Sequence, residues 1–226
     1  RAYVLAGHSY GGSLALRWAL THPGEVRGVL ALATPAMDWG GSGIGAHYRI
    51  GGRAGIGDLL AQAAPVLAGP RFMADAMAEI FAPNPIAPGY LEGSGAELAL
   101  RPATFRANAA MMLRLYPQVA AQCRRYGEIM CPMEVVHGEA DTIVPAVIHA
   151  EPLASRVTRA RLTLLPGIGH MPHHAEAGAV IDTIARLMQA AEGTYADHPS
   201  RRDPAEDPVH GSGRGDGPLP GDVDRP

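Results

Sequence analysis

A serine between two glycines stands near the start of the chain, in the pattern Gly7-x-Ser9-x-Gly11. It follows the apolar residues 2–6 and precedes a helical stretch. A hydroxyl at such a turn from strand to helix is pushed clear of the sheet, and glycines two residues away leave room for the tight backbone. The helix directs its first N–H groups and its positive end at developing negative charge. The pattern therefore predicts that Ser9 is a nucleophile.

A serine hydroxyl needs a base, and the chain contains ten histidines. His170 stands apart by position, because it ends the loop at 166–170 that follows a predicted strand. The carboxyl ends of parallel strands share one rim of a sheet, so His170 and Ser9 are expected on the same rim. We predict that His170 is the general base. The alternative is a loop histidine that caps the next helix.

An imidazole that acts as a base needs an acid to orient it. Asp141 again lies just past a predicted strand, and its carboxylate could accept the Nδ1–H of His170 and stabilise the imidazolium. A helix N-cap is the other interpretation of Asp141. Asp38, after the second strand, and Glu139 are the rival acids.

The elements that position these residues follow from apolar periodicity. Runs that are apolar on both faces are typical of buried strands in a parallel sheet, and amphipathic runs predict helices. The predicted strands are 2–6, 26–34, 133–137 and 161–165. The predicted helices are 14–21, 57–68, 70–81, 103–125, 145–156 and 174–191, with a Pro/Gly-rich connection at 83–95. The strand–helix–strand order at 2–34 predicts an α/β protein.

The chain resembles the α/β-hydrolase superfamily. The order Ser9, Asp141, His170 is that family's order of nucleophile, acid and histidine, and the segments 7–12, 137–145 and 167–170 are similar to its motifs. The resemblance implies the C-terminal part of an α/β-hydrolase fold, a mostly parallel sheet flanked by helices.

The same resemblance divides the chain into four parts. Residues 1–36 and 128–192 are two segments of the hydrolase core, and 37–127 is a helical cap insertion. Residues 193–226 contain few large aliphatic side chains, which predicts a disordered tail. The family's first half-sheet has no counterpart here, so we expect a fragment whose first strand has an unpaired apolar edge. Such a fragment is expected to fold poorly or to be inactive alone.

The resemblance also implies a function and further site residues. A serine hydrolase of this kind cleaves a carboxylic ester through an acyl-enzyme, here with a small to medium apolar acyl group. The Tyr10 N–H is expected in the oxyanion hole, with a second donor upstream of residue 1, and the side chains of His8 and Tyr10 are expected to contact substrate. Two alternatives remain open. One is a carbon–carbon bond hydrolase acting on ring-cleavage products, and the other is a non-catalytic scaffold that binds a ligand.

Composition excludes several other classes. The 226 residues carry a formal net charge of −3, which argues against general nucleic-acid binding. All basic residues are Arg, which excludes a P-loop and Schiff-base chemistry. The apolar runs are too short to span a membrane.

No cofactor and no metal are expected. His170, His173 and His174 together with Asp141 could suggest a metal site, but the family resemblance and the lack of a carboxylate-rich cluster argue against it. The glycines at 41–45 have the wrong spacing for a dinucleotide loop. Cys123 and Cys131 are expected to be free thiols. The expected partner is a small-molecule ester, the oligomeric state is left open, and the cytoplasm is the default location, although a signal or anchor upstream of residue 1 is not excluded.

Overall fold

Four parallel strands form the sheet on which the site is built. The computed structural model describes residues 2–41, 48–49, 55, 57, 62 and 70–196. The strands lie side by side in chain order, as β1 (Tyr3–His8), β2 (Val26–Leu32), β3 (Met133–Gly138) and β4 (Ala160–Leu165). Because all three pairings are parallel, the carboxyl ends of the strands meet at one rim. This confirms the predicted parallel α/β sheet.

Helices cover both faces of this sheet. They are α1 (Tyr10–Thr21), α2 (Pro70–Phe81), α3 (Tyr90–Ser94), α4 (Pro102–Gln122), α5 (Ala146–Arg156), α6 (Pro172–Ala175) and α7 (Ala177–Ala196). Short 3₁₀ helices lie at Pro23–Glu25, Ala96–Leu100 and Cys123–Glu128. Most of the predicted helix at 57–68, the glycine-rich stretches 42–47 and 51–54 and nearly all of the predicted tail lie outside the described residues.

Side chains along the central strands point alternately to the two faces of the sheet, and this explains why helices pack on both faces. Val29 of β2 belongs to the cluster that α1 and α5 cover with Leu16 and Leu153, whereas the next residue, Leu30, packs with Leu187 of α7. Successive strand residues point to opposite faces, so a strand buried on both faces needs an unbroken apolar run. Residues 28–32, which are all buried, meet that need, whereas Arg27 near the start of β2 is only partly buried.

β1 forms where the sequence predicts it, and in the described sheet one of its edges is unpaired, as expected. It lies at one end of the described sheet and pairs there only with β2, so that Tyr3 is 47% exposed. β3, between two partners, is buried at every position. The strand before Ser9 and the strand before Asp141 therefore have different surroundings.

The helical region before β3 differs from prediction at one point. Residues 83–95 were predicted as a connection, and the structure places α3 within them. Gly89 and Gly95 bound this helix at positive φ, so the glycines that indicated a loop serve as its end residues. Cys123 and Cys131 are both free thiols, as predicted. Within the described residues, no helix is both long and apolar enough to cross a membrane.

Candidate active site

Ser9 occupies the turn between β1 and α1 in an unusual backbone conformation. Its φ of 50° and ψ of −121° lie in a region that non-glycine residues rarely adopt, at a cost on the order of 1–3 kcal/mol. The surrounding backbone holds it there: the Ser9 N–H donates to the Leu32 carbonyl at 2.8 Å, and the Ser9 carbonyl accepts from the Gly12 N–H at 3.0 Å. The turn thus projects the hydroxyl from the rim.

The glycines around Ser9 have unequal roles. A Cβ at Gly7 would overlap the backbone of Gly11 and Gly12, and one at Gly12 would overlap the side chain of Thr34. A Cβ at Gly11 would meet nothing within 4 Å. The expectation that both glycines of the motif provide room is therefore correct for Gly7 and wrong for Gly11. At Gly11 the close approach is made by its backbone.

A chain of hydrogen bonds joins the three residues predicted from the sequence. Ser9 Oγ lies 3.0 Å from His170 Nε2, and His170 Nδ1 lies 2.8 Å from Asp141 Oδ2. With the proton on Nδ1, where it faces the carboxylate, the neutral imidazole has an open lone pair on Nε2 facing the serine. His170 and Asp141 are both buried. This geometry permits a proton to pass from the serine hydroxyl to the imidazole.

Asp141 accepts three hydrogen bonds and has one further imidazole nitrogen beside it. Oδ1 accepts the backbone N–H groups of Ile143 and Val144, each at 2.9 Å. Oδ2 lies 3.2 Å from His137 Nε2 as well as near His170. Burial alone would raise the pKa of Asp141, but the bonds from His137 and His170 outweigh it, and the pKa lies well below its usual range. The carboxylate is therefore charged at neutral pH.

The loop that carries His170 packs tightly against the end of β3. The Ala140 N–H donates to the Ile168 carbonyl at 2.9 Å. A Cβ at Gly138 would overlap the carbonyl oxygens of Ile168 and Gly169, so glycine is required for this approach.

Asn84, just after α2, binds the same loop from the other side. Its Nδ2 donates to the Gly167 carbonyl at 3.1 Å, and its Oδ1 accepts the Gly169 N–H at 2.9 Å. One side chain thus fixes two of the three residues before His170.

His8, the last residue of β1, connects this strand to the loop that carries His170. Its Nε2 donates to the His170 carbonyl at 2.7 Å, and its ring contacts those of His170 and His173. Burial is the largest influence on its pKa, and together with the neighbouring histidines it lowers the pKa of His8 to about 4, against the raising effects of its hydrogen bond and of Asp141. A neutral His8 places no positive charge beside His170 at neutral pH.

A cavity of about 290 Å³ opens beside Ser9. Most of its lining residues are apolar, which suits a ligand that is largely hydrocarbon. They are Ser9, Tyr10, Pro35, Trp39, Met112, Leu115, Ile143, Val144, Pro145, Ile148 and His149. Tyr10 lines this cavity, and its N–H lies in the first turn of α1, where amides have no acceptor within the helix. His8 is not among the lining residues.

The rival acids lie elsewhere. Asp38 Oδ1 accepts from the Gly40 N–H at 3.0 Å and from the Tyr116 hydroxyl at 3.1 Å, and Glu139 is exposed. His173 and His174 lie in α6, a separate short helix, rather than at the start of α7.

Sequence reasoning missed three polar residues of this region, His137, Asn84 and His149. His137 is wholly buried, and its Nε2 donates to the Val144 carbonyl at 2.6 Å and lies 3.2 Å from Asp141 Oδ2. Its place in a strand, four residues before Asp141, was the one available signal. Asn84 and His149 contact residues about 85 and 113 positions away, so no local pattern identifies them.

Comparison with known proteins agrees with this architecture. Residues 1–183 match the model of the alpha/beta hydrolase family. A comparison with curated proteins found no match.

Solved structures show the same fold. An alpha/beta hydrolase enzyme from a Medee basin deep-sea metagenome library is 18% identical over 83% of this chain and 65% of its own, with a TM-score of 0.56. A thermophilic esterase from Thermogutta terrifontis is 18% identical over 84% of this chain and 65% of its own, with a TM-score of 0.56. MenH from S. aureus is 19% identical over 85% of this chain and 70% of its own, also with a TM-score of 0.56.

The chain thus spans 65% of the length of the first two of these structures, and at such identities the likeness concerns the fold alone. The family match covers most of the chain, and it agrees with the parallel sheet and its flanking helices. This chain belongs to the alpha/beta hydrolase family.

Proposed function

We propose that the protein is a serine hydrolase that cleaves carboxylic esters with a small to medium, largely apolar acyl group. The observation that carries the proposal is the chain of hydrogen bonds from Ser9 through His170 to Asp141. Ser9, at one end of this chain, lines an apolar cavity. The name of the Thermogutta terrifontis esterase is consistent with this reaction class.

In the first step, Ser9 Oγ attacks the ester carbonyl while His170 Nε2 takes the hydroxyl proton. Asp141 keeps the imidazole in the required tautomer and stabilises the imidazolium that forms. Three hydrogen bonds and the adjacent His137 favour the charged form of Asp141, so the stabilising carboxylate is already in place before the substrate arrives.

The negative charge of the tetrahedral intermediate needs donors aimed at the carbonyl oxygen. The Tyr10 N–H, at the start of α1, is the donor that we assign within this chain, and the positive end of the helix adds to its effect. His170 then protonates the leaving alcohol, and water, activated by the same imidazole, releases the acid from Ser9.

The cavity sets the size of the substrate. Ligand pockets span about 300–1,000 Å³, so this one lies at the small end of that range. Ile148, Leu115 and Met112 offer hydrocarbon contacts and no charge. An ester with a short aliphatic acyl chain is the best match to these walls.

A fluorophosphonate probe tests the nucleophile directly. Attack by Ser9 on phosphorus expels fluoride and leaves a stable adduct, which peptide mass spectrometry would locate. We expect the adduct on Ser9, its absence in His170→Ala, and its persistence in His22→Ala, which removes an exposed histidine at the end of α1. A folded protein that carries no adduct would overturn the catalytic proposal and leave a ligand-binding scaffold as the alternative.

A further inference from the structure

His149 is a buried polar side chain on the wall of the cavity. It lies on α5, is 4% exposed and has Ile148 and Pro145 as its neighbours in the lining. The proposed hydrolytic steps do not use it. A buried imidazole in an apolar wall has a desolvation cost unless its nitrogen atoms have partners, so its presence needs an explanation.

One ring nitrogen has a defined structural role. His149 Nδ1 lies 3.2 Å from the Ala36 N–H and 3.1 Å from the Met37 N–H, and both of these groups donate to it. Because both N–H groups donate to Nδ1, this nitrogen must offer its lone pair to them, and it therefore carries no proton. A neutral imidazole has one proton, which must then be on Nε2.

The ring is also neutral at physiological pH. Burial lowers the pKa of His149 to about 4, with a further lowering by His137 and a smaller raising effect of Asp141. The side chain therefore presents a fixed N–H donor without a positive charge. Such a donor suits a neutral oxygen, whereas it gives a carboxylate no charge pairing.

Nε2–H has no hydrogen-bond acceptor among the described residues of the protein, although Nδ1 has two donors. The T-shaped contact of the ring with Trp39, at 5.4 Å between centroids, holds its plane without using Nε2. A purely aliphatic ligand would leave this donor desolvated and unpaired, and a ligand with a suitably placed oxygen would satisfy it.

We propose that His149 is a specificity-determining residue whose Nε2–H binds a second, neutral oxygen acceptor of the ester substrate, remote from the scissile carbonyl. The proposal rests on the hydrolase function proposed above and narrows its substrate class. The preferred substrate is largely apolar but bears one ketone, ether or hydroxyl oxygen. A site built to pair with a substrate oxygen discriminates against the analogue that lacks it.

The test compares ethyl hexanoate with ethyl 3-oxo-, 4-oxo- and 5-oxohexanoate, which differ in the position of one ketone oxygen. Binding is measured by titration of the Ser9→Ala protein, which cannot form an acyl-enzyme. We expect at least one oxo ester to bind roughly three- to tenfold more tightly than hexanoate, the range of one net neutral hydrogen bond.

The matched variant is His149→Asn in the same Ser9→Ala background. The Asn Oδ1 is as many bonds from Cα as the His Nδ1, so it keeps an acceptor for the Ala36 and Met37 N–H groups while the Nε2 donor is removed. We expect the preference for the oxo ester to disappear. His22→Asn, which removes an exposed imidazole instead, should retain it.

Each outcome separates the two proposals. If Ser9→Ala and Ser9→Ala/His149→Asn show the same preference for the oxo ester over ethyl hexanoate, the role of His149 is overturned. It is also overturned if Ser9→Ala binds none of the four esters. If His149→Asn unfolds, a Ser9→Ala protein that favours no oxo ester is sufficient to overturn it. Hydrolysis of ethyl hexanoate by the wild-type protein is measured in a separate experiment, which tests the hydrolase function itself. Its absence, with no labelling of Ser9, contradicts the hydrolase function even where the oxo preference is present.

Discussion

The two ends of the candidate site are held in different ways. At the β3–β4 end, Asp141 accepts three hydrogen bonds and lies beside His137, and the His170 loop is bound by Ala140 on one side and by Asn84 on the other. At the β1 end, Ser9 sits in a strained turn after a partly exposed strand. One end is stabilised by many polar contacts, and the other by the close approach of backbone segments.

This difference predicts how each end responds to substitution. A region with many separate hydrogen bonds should lose function gradually, because removal of one bond leaves the others in place. A turn that depends on the absence of a Cβ has no intermediate state, because the added methyl either fits or displaces the backbone. The predictions below test that contrast.

Gly7→Ala should have the largest effect. The new Cβ would overlap the backbone of Gly11 and Gly12 and displace the turn that carries Ser9. Overpacking of this kind destabilises a protein by about 1–3 kcal/mol. A shift of roughly 1 Å at the nucleophile can lower the rate by about 100-fold. Denaturant unfolding and the rate of fluorophosphonate labelling measure the two effects.

Gly11→Ala is the matched control within the same motif. A Cβ there meets open space, and the residue lies in the first turn of α1, where alanine is a better helix former than glycine. We expect unchanged or slightly increased stability and a labelling rate within a few-fold of wild type. If Gly11→Ala were as damaging as Gly7→Ala, the assignment of the crowded position to Gly7 would be wrong.

Asn84→Ala should have an intermediate effect at the other end. It removes the donor to Gly167 and the acceptor of Gly169, at about 0.5–1.5 kcal/mol for each bond. The contacts of Asp141 with His170 and of Ala140 with Ile168 remain. We therefore expect a reduction of roughly tenfold in kcat with little change in KM, measured by steady-state ester hydrolysis.

Asn84→Asp separates the two bonds. The carboxylate keeps an acceptor for the Gly169 N–H and loses the donor to the Gly167 carbonyl. The other carboxylate oxygen would face the Gly167 carbonyl oxygen, and two acceptors repel, so we expect a free-energy loss at least as large as that of Asn84→Ala. An effect of Asn84→Ala as large as that of Gly7→Ala would show that the histidine loop has no other adequate support.

The residues at the rim were predictable because their signals are local. Ser9, Asp141 and His170 each follow an apolar strand, and parallel strands end at a common rim whatever the intervening chain does. The central strands were predictable for the same reason, since burial on both faces requires continuous apolar runs.

The supporting contacts were not predictable, because they join distant parts of the chain. Asn84 follows α2 in the region predicted as an insertion, yet it binds the His170 loop, and His149 binds the segment after β2. Neither partner can be inferred from spacing. The unpaired edge of β1 followed from the family resemblance, because an apolar run by itself does not show which strands lie beside it.

His8 links the two ends, and a pH experiment tests that link. Its folded-state pKa of about 4 lies below the ordinary value of 6.5, so the unfolded chain binds more protons between these two pH values. The free energy of unfolding should therefore fall as the pH decreases from 6.5 to 4, with up to about 1 kcal/mol per pH unit from this group.

His8→Gln removes the titrating group but keeps a side-chain N–H that can donate to the His170 carbonyl. Between pH 6.5 and 4 its unfolding free energy should vary less steeply than that of wild type, by about 1 kcal/mol per pH unit. Part of the slope should persist, because burial also lowers the pKa of His149 to about 4. At pH 8 the histidine is neutral in both states, so any remaining difference reports the fit of the glutamine. Parallel pH profiles for the two proteins would show that His8 is solvated in the folded state, and the connection between the ends of the site would then lack its buried hydrogen bond.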